Sequence, residues 1–166
     1  MYQRILLTLD GSEPARAAIP HAATIAGGGA ADVTVLEVLP SGETMRTRAL
    51  TEGYDFTAGD LDAAGEFAVS QLGAMRREAE RELAAAESQL LAAGVGSVTT
   101  AIVDGLAGNA IVEYAAQHGI GAIVMATRGH SGLGREVLGS VAEYVLRPAG
   151  DVAVVLVGPR SKAAAG

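Results

Sequence analysis

Short apolar runs closed by turn residues recur along this chain, and they leave few folds open to it. Arg4 to Leu9 ends at Asp10-Gly11, Asp32 to Leu39 at Pro40, and Val98 to Val103 at Asp104-Gly105. Ala122 to Ala126 runs into a glycine-rich loop, and Val152 to Val157 is apolar throughout. Short, mainly apolar runs bounded by turn residues suit strands buried on both faces. Helical periodicity fills the intervals. Ser12 is placed as a helix N-cap, with Glu13 and Pro14 in the first turn. Ala15, Ala18, Ile19, Ala22, Ala23 and Ile25 form an apolar stripe, and Gly27-Gly28-Gly29 stops it. A long helix is predicted over about 64–93, with Leu72, Met75, Ala79, Leu83, Ala86 and Leu90 on one stripe. Shorter helices are predicted over about 107–118, with Ile111, Val112 and Ala115 inward, and about 135–146, with Val137, Leu138, Val141 and Val145 inward.

Strands alternating with helices predict an α/β fold, a parallel sheet with helices on both faces and right-handed crossovers. Open sheets of this kind bind ligands beyond the carboxyl ends of the strands, where the winding reverses. The ends of the first and fourth strands, Thr8-Leu9-Asp10 and Met125 to Gly129, are the candidates for that point. One domain accounts for the 166 residues. It is expected over 1–158, with 159–166 as a disordered tail. The segment over about 40–63 shows no sustained period and reads as a surface insertion or lid, in part helical.

Composition then removes whole classes of chemistry. With no cysteine there is no disulfide, thiolate zinc site, iron–sulfur cluster or cysteine nucleophile. The formal net charge of −7 argues against nucleic acid or an anionic membrane as a partner. Of the 12 basic residues only Lys162 is a lysine. A phosphate loop ending in Gly-Lys-Ser/Thr and a core Schiff-base lysine are therefore excluded. The apolar stretch after Met1 stops at Asp10, too short for a signal-peptide core, and no run approaches the ~18 apolar residues of a membrane span. A cytoplasmic location is expected.

The stretch from Ala126 to Val141 carries the functional argument. Gly129, Gly132, Gly134 and Gly139 cluster where a strand hands over to a helix. Backbone amides there can converge on phosphate oxygens, since a missing Cβ permits close approach and a helix N-terminus is electropositive. Arg128 and Arg135 supply local positive charge. The plainer reading is a loop that needs glycine only to turn, and spacing alone does not separate the two.

At this point the sequence resembles the universal stress protein family. The family's nucleotide signature, Gly-x2-Gly-x9-Gly-Ser/Thr after the fourth strand, is met by Gly129, Gly139 and Ser140, with nine residues between the two glycines. Ala126 replaces the first glycine and adds a methyl where backbone lies close to ribose and phosphates. Ile5 to Glu13 looks like the family's first strand and turn, and the resemblance runs in order over about 2–158. It implies a Rossmann-like open five-stranded parallel sheet of the adenine nucleotide alpha-hydrolase-like type, with strand order 3-2-1-4-5. It also implies ATP as ligand, with Mg2+ held by the phosphates. Asp10 and Thr8 would lie at the adenine or ribose. Val38 would flank the adenine, and Met125 and Ala126 would lie against the adenine and ribose. Gly129, Gly139, Ser140 and Val141 would hold ribose and phosphates through amides, Ser140 adding its hydroxyl. Arg128, His130, Ser131 and Gly132 share that loop and, on the same resemblance, would stand near phosphate. A homodimer through the last strand, Val152 to Val157, is the partner the resemblance implies.

Each residue also has an ordinary reading. Asp10 is suited to capping a helix turn, Ser140 to bonding back to a helix carbonyl, and Met125 to plain core. Enzyme signatures fail on inspection. Gly129-His130-Ser131-Gly132-Leu133 misses the nucleophile elbow by one position, and His21, His118 and His130 all precede Ser131. The dinucleotide fingerprint is absent after the first strand. Asp60 and Asp62 lack the spacing of a calcium loop, so no metal ligands are assigned. No catalytic residue is assigned either. The expectation is a binding module with very slow ATP turnover or none, the alternative being a scaffold of the same fold that acts through protein contacts.

Overall fold

The computed structural model describes residues 2–51, 61–127, 138–148 and 150–158. Its strands are β1 (Arg4–Leu9), β2 (Asp32–Leu39), β3 (Ser97–Asp104), β4 (Ala122–Ala126) and β5 (Ala153–Val157). Its helices are α1 (Glu13–Arg16), α2 (Ile19–Ala26), α3 (Gly42–Thr51), α4 (Leu61–Ala92), α5 (Ala107–Gln117) and α6 (Ser140–Leu146). The strands form one parallel sheet in the order β3-β2-β1-β4-β5. Both the fold class and the strand order agree with expectation. β1 is central: Ile5 pairs with Val33 on one side and Ala122 on the other. This is why its residues from Ile5 to Leu9 are all buried.

Side-chain alternation along the strands sorts the core into two layers. Ile5, Leu7, Val33, Val35 and Val124 pack against Ala18 and Ala22 on the α2 side and Leu83, Ala86 and Leu90 of α4. Leu6, Leu36, Ile123 and Met125 pack against Ile111 and Ala115 of α5 and Ala142 and Val145 of α6. Helices therefore cover both faces.

Several details differ from the periodicity: α6 starts at Ser140 rather than at about 135, with Leu138 and Gly139 ahead of it, and Met75 of the predicted α4 stripe is exposed. The stripe from Ala15 to Ile25 is two helices rather than one. Pro20 has no amide, and its ring would collide with the carbonyl of Arg16 in a continuous helix, so the chain restarts with Pro20 in the first turn of α2. Gly27 then stops α2 in the left-handed conformation, φ 64°. The insertion is helical over α3, where the Ser41 hydroxyl accepts the Thr44 amide at 3.2 Å. Residues 52–60 of it lie outside the described residues, as do Ala149 and the tail from 159. Finally α4 begins at Leu61 and spans 32 residues. At 1.5 Å per residue it is roughly 48 Å long, against roughly 26 Å for an eight-residue strand. Leu83, Ala86 and Leu90 of its second half lie on the sheet, and α3 packs against α4.

Candidate functional site

The chain leaves β1 for helices on one face and leaves β4 for α6 on the other, so the winding reverses between these neighbouring strands. A cleft of about 280 Å3 opens there at their carboxyl ends. Thr8, Asp10, Val38, Met125, Ala126, Gly139, Ser140 and Val141 all line it. Arg128, Gly129 and Gly132, with His130, Ser131 and Arg135, lie outside the described residues.

The floor is apolar. Leu36 and Val38 project from β2 at alternate positions, and Met125 and Ala126 end β4, nearly buried at 4% and 9% exposure. Ile111 and Ala107 close the side from the start of α5, one helical turn apart. The rim is polar, with Thr8, Asp10, Thr127 and Ser140. Among the described lining residues Asp10 is the one charged group.

Two local hydrogen-bond sets shape that rim. The Gly139 amide donates to the Thr127 carbonyl at 2.8 Å, and the Thr127 amide donates to the Val157 carbonyl at 2.9 Å. Thr127 and Gly139 are thereby pinned together beside β5. The Gly139 amide is engaged in this clamp, which leaves Ser140 and Val141 to offer the amides of this turn. The Gly139 carbonyl accepts the first helical bond, from Glu143, at 2.9 Å. Ser140, exposed at the first position of α6, has no preceding helical turn to bond back to.

At the other strand end, Ser12 caps α1, its hydroxyl accepting the Ala15 amide at 3.2 Å. Asp10 is thus relieved of the capping role that its position allows. Its Oδ1 instead accepts the Ser12 amide at 3.1 Å and the Ser12 hydroxyl at 2.6 Å. Gly11 makes the bend between them with φ 79°.

Leu9 and Thr127, which fall within the strand ends named from the sequence, also line the cleft, as do Ala15, Leu36, Ala107, Ile111 and Ala142, which the sequence did not single out as site residues. Leu36 carried a usable signal, since it stands two residues before Val38 on the same side of a strand. Ala107 and Ile111 carried a weaker one, because β3 and its following helix lie away from the strand pair where the winding reverses. No group of three or more metal-ligating side chains is found among the described residues. No helix among them is long and apolar enough to cross a membrane.

The chain is 29% identical to universal stress protein MJ0531 of Methanocaldococcus jannaschii over 163 residues, 98% of this chain and 86% of that protein. Universal stress protein MJ0577 of the same organism is 28% identical over 156 residues, 94% of this chain and 95% of that protein. The solved structure of MJ0577 superposes with a TM-score of 0.75 at 25% identity, covering 97% of this chain and 99% of that one. A universal stress protein from Archaeoglobus fulgidus, solved in complex with dAMP, superposes with a TM-score of 0.62 at 21% identity, covering 94% and 98%. The model of the universal stress protein family matches residues 1–157. The chain belongs to the universal stress protein family.

Proposed function

We propose that the cleft binds an adenine nucleotide, ATP with Mg2+, and that the protein is a cytoplasmic regulatory module of the stress-response type. The observation that carries this reading is convergence. Eight residues, drawn from β1, β2, β4 and the start of α6, line one cleft at the point where the winding reverses. An apolar floor suits the faces of a purine, and a rim of hydroxyls and one carboxylate suits a sugar. The dAMP complex of the Archaeoglobus fulgidus relative supports the same ligand class. Mg2+ would be held by the phosphates rather than by a protein cage.

The module turns ATP over very slowly or not at all. Lys162 is the chain's one lysine, and Asp10 is the one titratable side chain among the described residues of the cleft. A turnover of about 1 per second or more, the ordinary kinase range, would defeat this. We further propose a homodimer built through β5.

Binding is tested by melting the purified protein with and without MgATP. Ligand at 100 times its dissociation constant should stabilise by roughly 2.7 kcal/mol. For a chain of this size that raises Tm by about 5–10 °C. Asp10→Ala should shrink the shift. Heat-released adenine nucleotide, identified by mass spectrometry, would support the reading directly. No released nucleotide and no shift at millimolar MgATP would overturn it in favour of a scaffold acting through protein contacts.

A further inference from the structure

We infer that Ser12 is a positioning residue for sugar recognition: it holds the Asp10 carboxylate in the one orientation that accepts the ribose hydroxyls. The inference rests on the nucleotide-binding reading and adds a residue that does not itself line the cleft.

The geometry runs from a single side chain. Ser12 is buried, at 5% exposure. Its hydroxyl does two things at once. It accepts the Ala15 amide at 3.2 Å, which fixes the oxygen against the first turn of α1. It donates its proton to Asp10 Oδ1 at 2.6 Å, a short bond to a charged acceptor. The Ser12 amide adds a second donor to the same oxygen at 3.1 Å. Two donors on Oδ1 fix the plane of the carboxylate. Oδ2 keeps its lone pairs, and Asp10 lines the cleft.

The turn beneath is itself braced. Arg16 donates to the Gly11 carbonyl at 2.9 Å and pairs with Glu82 of α4 at 3.1 Å. The carboxylate, its two donors and the turn that carries them thus form one pre-set unit. A carboxylate can only accept, and the vicinal hydroxyls of a ribose are donors that this unit meets without reorganising. An unsupported Asp10, exposed at the rim, would rotate freely and lose that advantage.

The test compares ATP with 2′,3′-dideoxy-ATP, which lacks both hydroxyls, by calorimetry on the full chain. Wild type should bind ATP about tenfold more tightly, the size of a hydrogen bond to a charged acceptor. Asp10→Ala sets the floor, with a ratio near one. Ser12→Ala should bring the ratio down to about two- to threefold, and Ser12→Thr should restore it. Loss of the helix cap alone would weaken both nucleotides equally and leave the ratio unchanged, so the ratio separates positioning from folding. Should Ser12→Ala not fold, Ser12→Gly keeps the backbone donor and most of the cap, and its ratio should fall between the two. A Ser12→Ala ratio within twofold of wild type overturns the inference. So does a wild type that binds both nucleotides equally, which leaves the nucleotide reading standing. A wild type that binds neither overturns both.

Discussion

Ala126 is the residue at which this chain departs from the nucleotide signature of its family. It ends β4 with its methyl in the lining of the cleft and 9% of its surface exposed. Under the proposed function that methyl stands between the strand end and the sugar. Ala126→Gly should therefore tighten MgATP by up to about tenfold, the equivalent of roughly 1.4 kcal/mol. The same change should lower the stability of the ligand-free protein by about 0.5–1 kcal/mol, because glycine loses more freedom on joining a strand. Opposite signs for affinity and stability, read by calorimetry and urea unfolding, identify the methyl as a steric cost to the ligand. Looser binding by the glycine variant would show that Ala126 makes a favourable contact instead. Gly139 teaches a related point. Its place in the motif suggests an amide aimed at phosphate, yet that amide closes the clamp to Thr127. Glycine spacing was legible in the sequence; the partner of the Gly139 amide was not, because it depends on how the start of α6 sits against the end of β4.

Among the elements, α5 and α6 meet through one glycine. A Cβ built on Gly108 would lie 2.6 Å from Cδ1, 2.8 Å from Cγ and 3.0 Å from Cβ of Tyr144. The close atoms reach back to the base of the tyrosine, so swinging its ring away does not relieve them. Gly108→Ala should push the helices apart and destabilise by about 1–3 kcal/mol, the usual cost of overpacking. Urea midpoints measure this, and Gly108→Ala combined with Tyr144→Ala should cost less than the two changes added together. A single variant as stable as wild type would mean that α6 shifts freely. Because Ala107 and Ala142 line the cleft from these two helices, the close approach also sets the cleft's width. Nothing in the sequence marked Gly108, since a helical glycine reveals its use only against a neighbour. The strands were the most legible elements: β4 is an unbroken apolar run buried throughout, and β1 is buried from Ile5 to Leu9, whereas β3 lies on a sheet edge with Ser97, Thr99 and Thr100 exposed and departs from the expectation of burial on both faces. Helix ends were less so. Pro20 split a stripe that periodicity alone reads as continuous, and α3 lacks the apolar stripe by which a helix is recognised, burying Ala49 against α4.

For the whole molecule, the strand order leaves two edges, β3 and β5. They differ in chemistry. β3 exposes Ser97, Thr99, Thr100 and Asp104, whereas β5 is Ala-Val-Val-Leu-Val, half-buried except for the buried Val157. A polar edge is tolerated by water, and an apolar one invites pairing, which favours β5 for the proposed homodimer. Backbone direction supplies the test. Ala153 donates its amide to Gly121 at 3.1 Å, and the Val157 carbonyl accepts from Thr127 at 2.9 Å, so residues 153 and 157 turn their groups toward β4. Alternate residues of a parallel strand face opposite neighbours, so Val154 and Leu156 turn theirs to the open edge. Val154→Pro removes an outward amide and leaves the β4 ladder whole, the setting in which a strand tolerates proline. It should halve the mass seen by sedimentation at micromolar concentration while the protein stays folded. Val155→Pro would instead break the ladder to β4 and lower stability. A wild type that sediments as a monomer rules out the pairing, and a Val154→Pro variant that remains a dimer moves the interface to another surface. The outcome bears on the cleft as well. Val157 accepts the bond from Thr127, and Thr127 holds Gly139, so β5 is tied to the rim of the cleft through two hydrogen bonds. If the dimer forms there, breaking it should also weaken MgATP binding, and the same Val154→Pro protein allows both quantities to be measured.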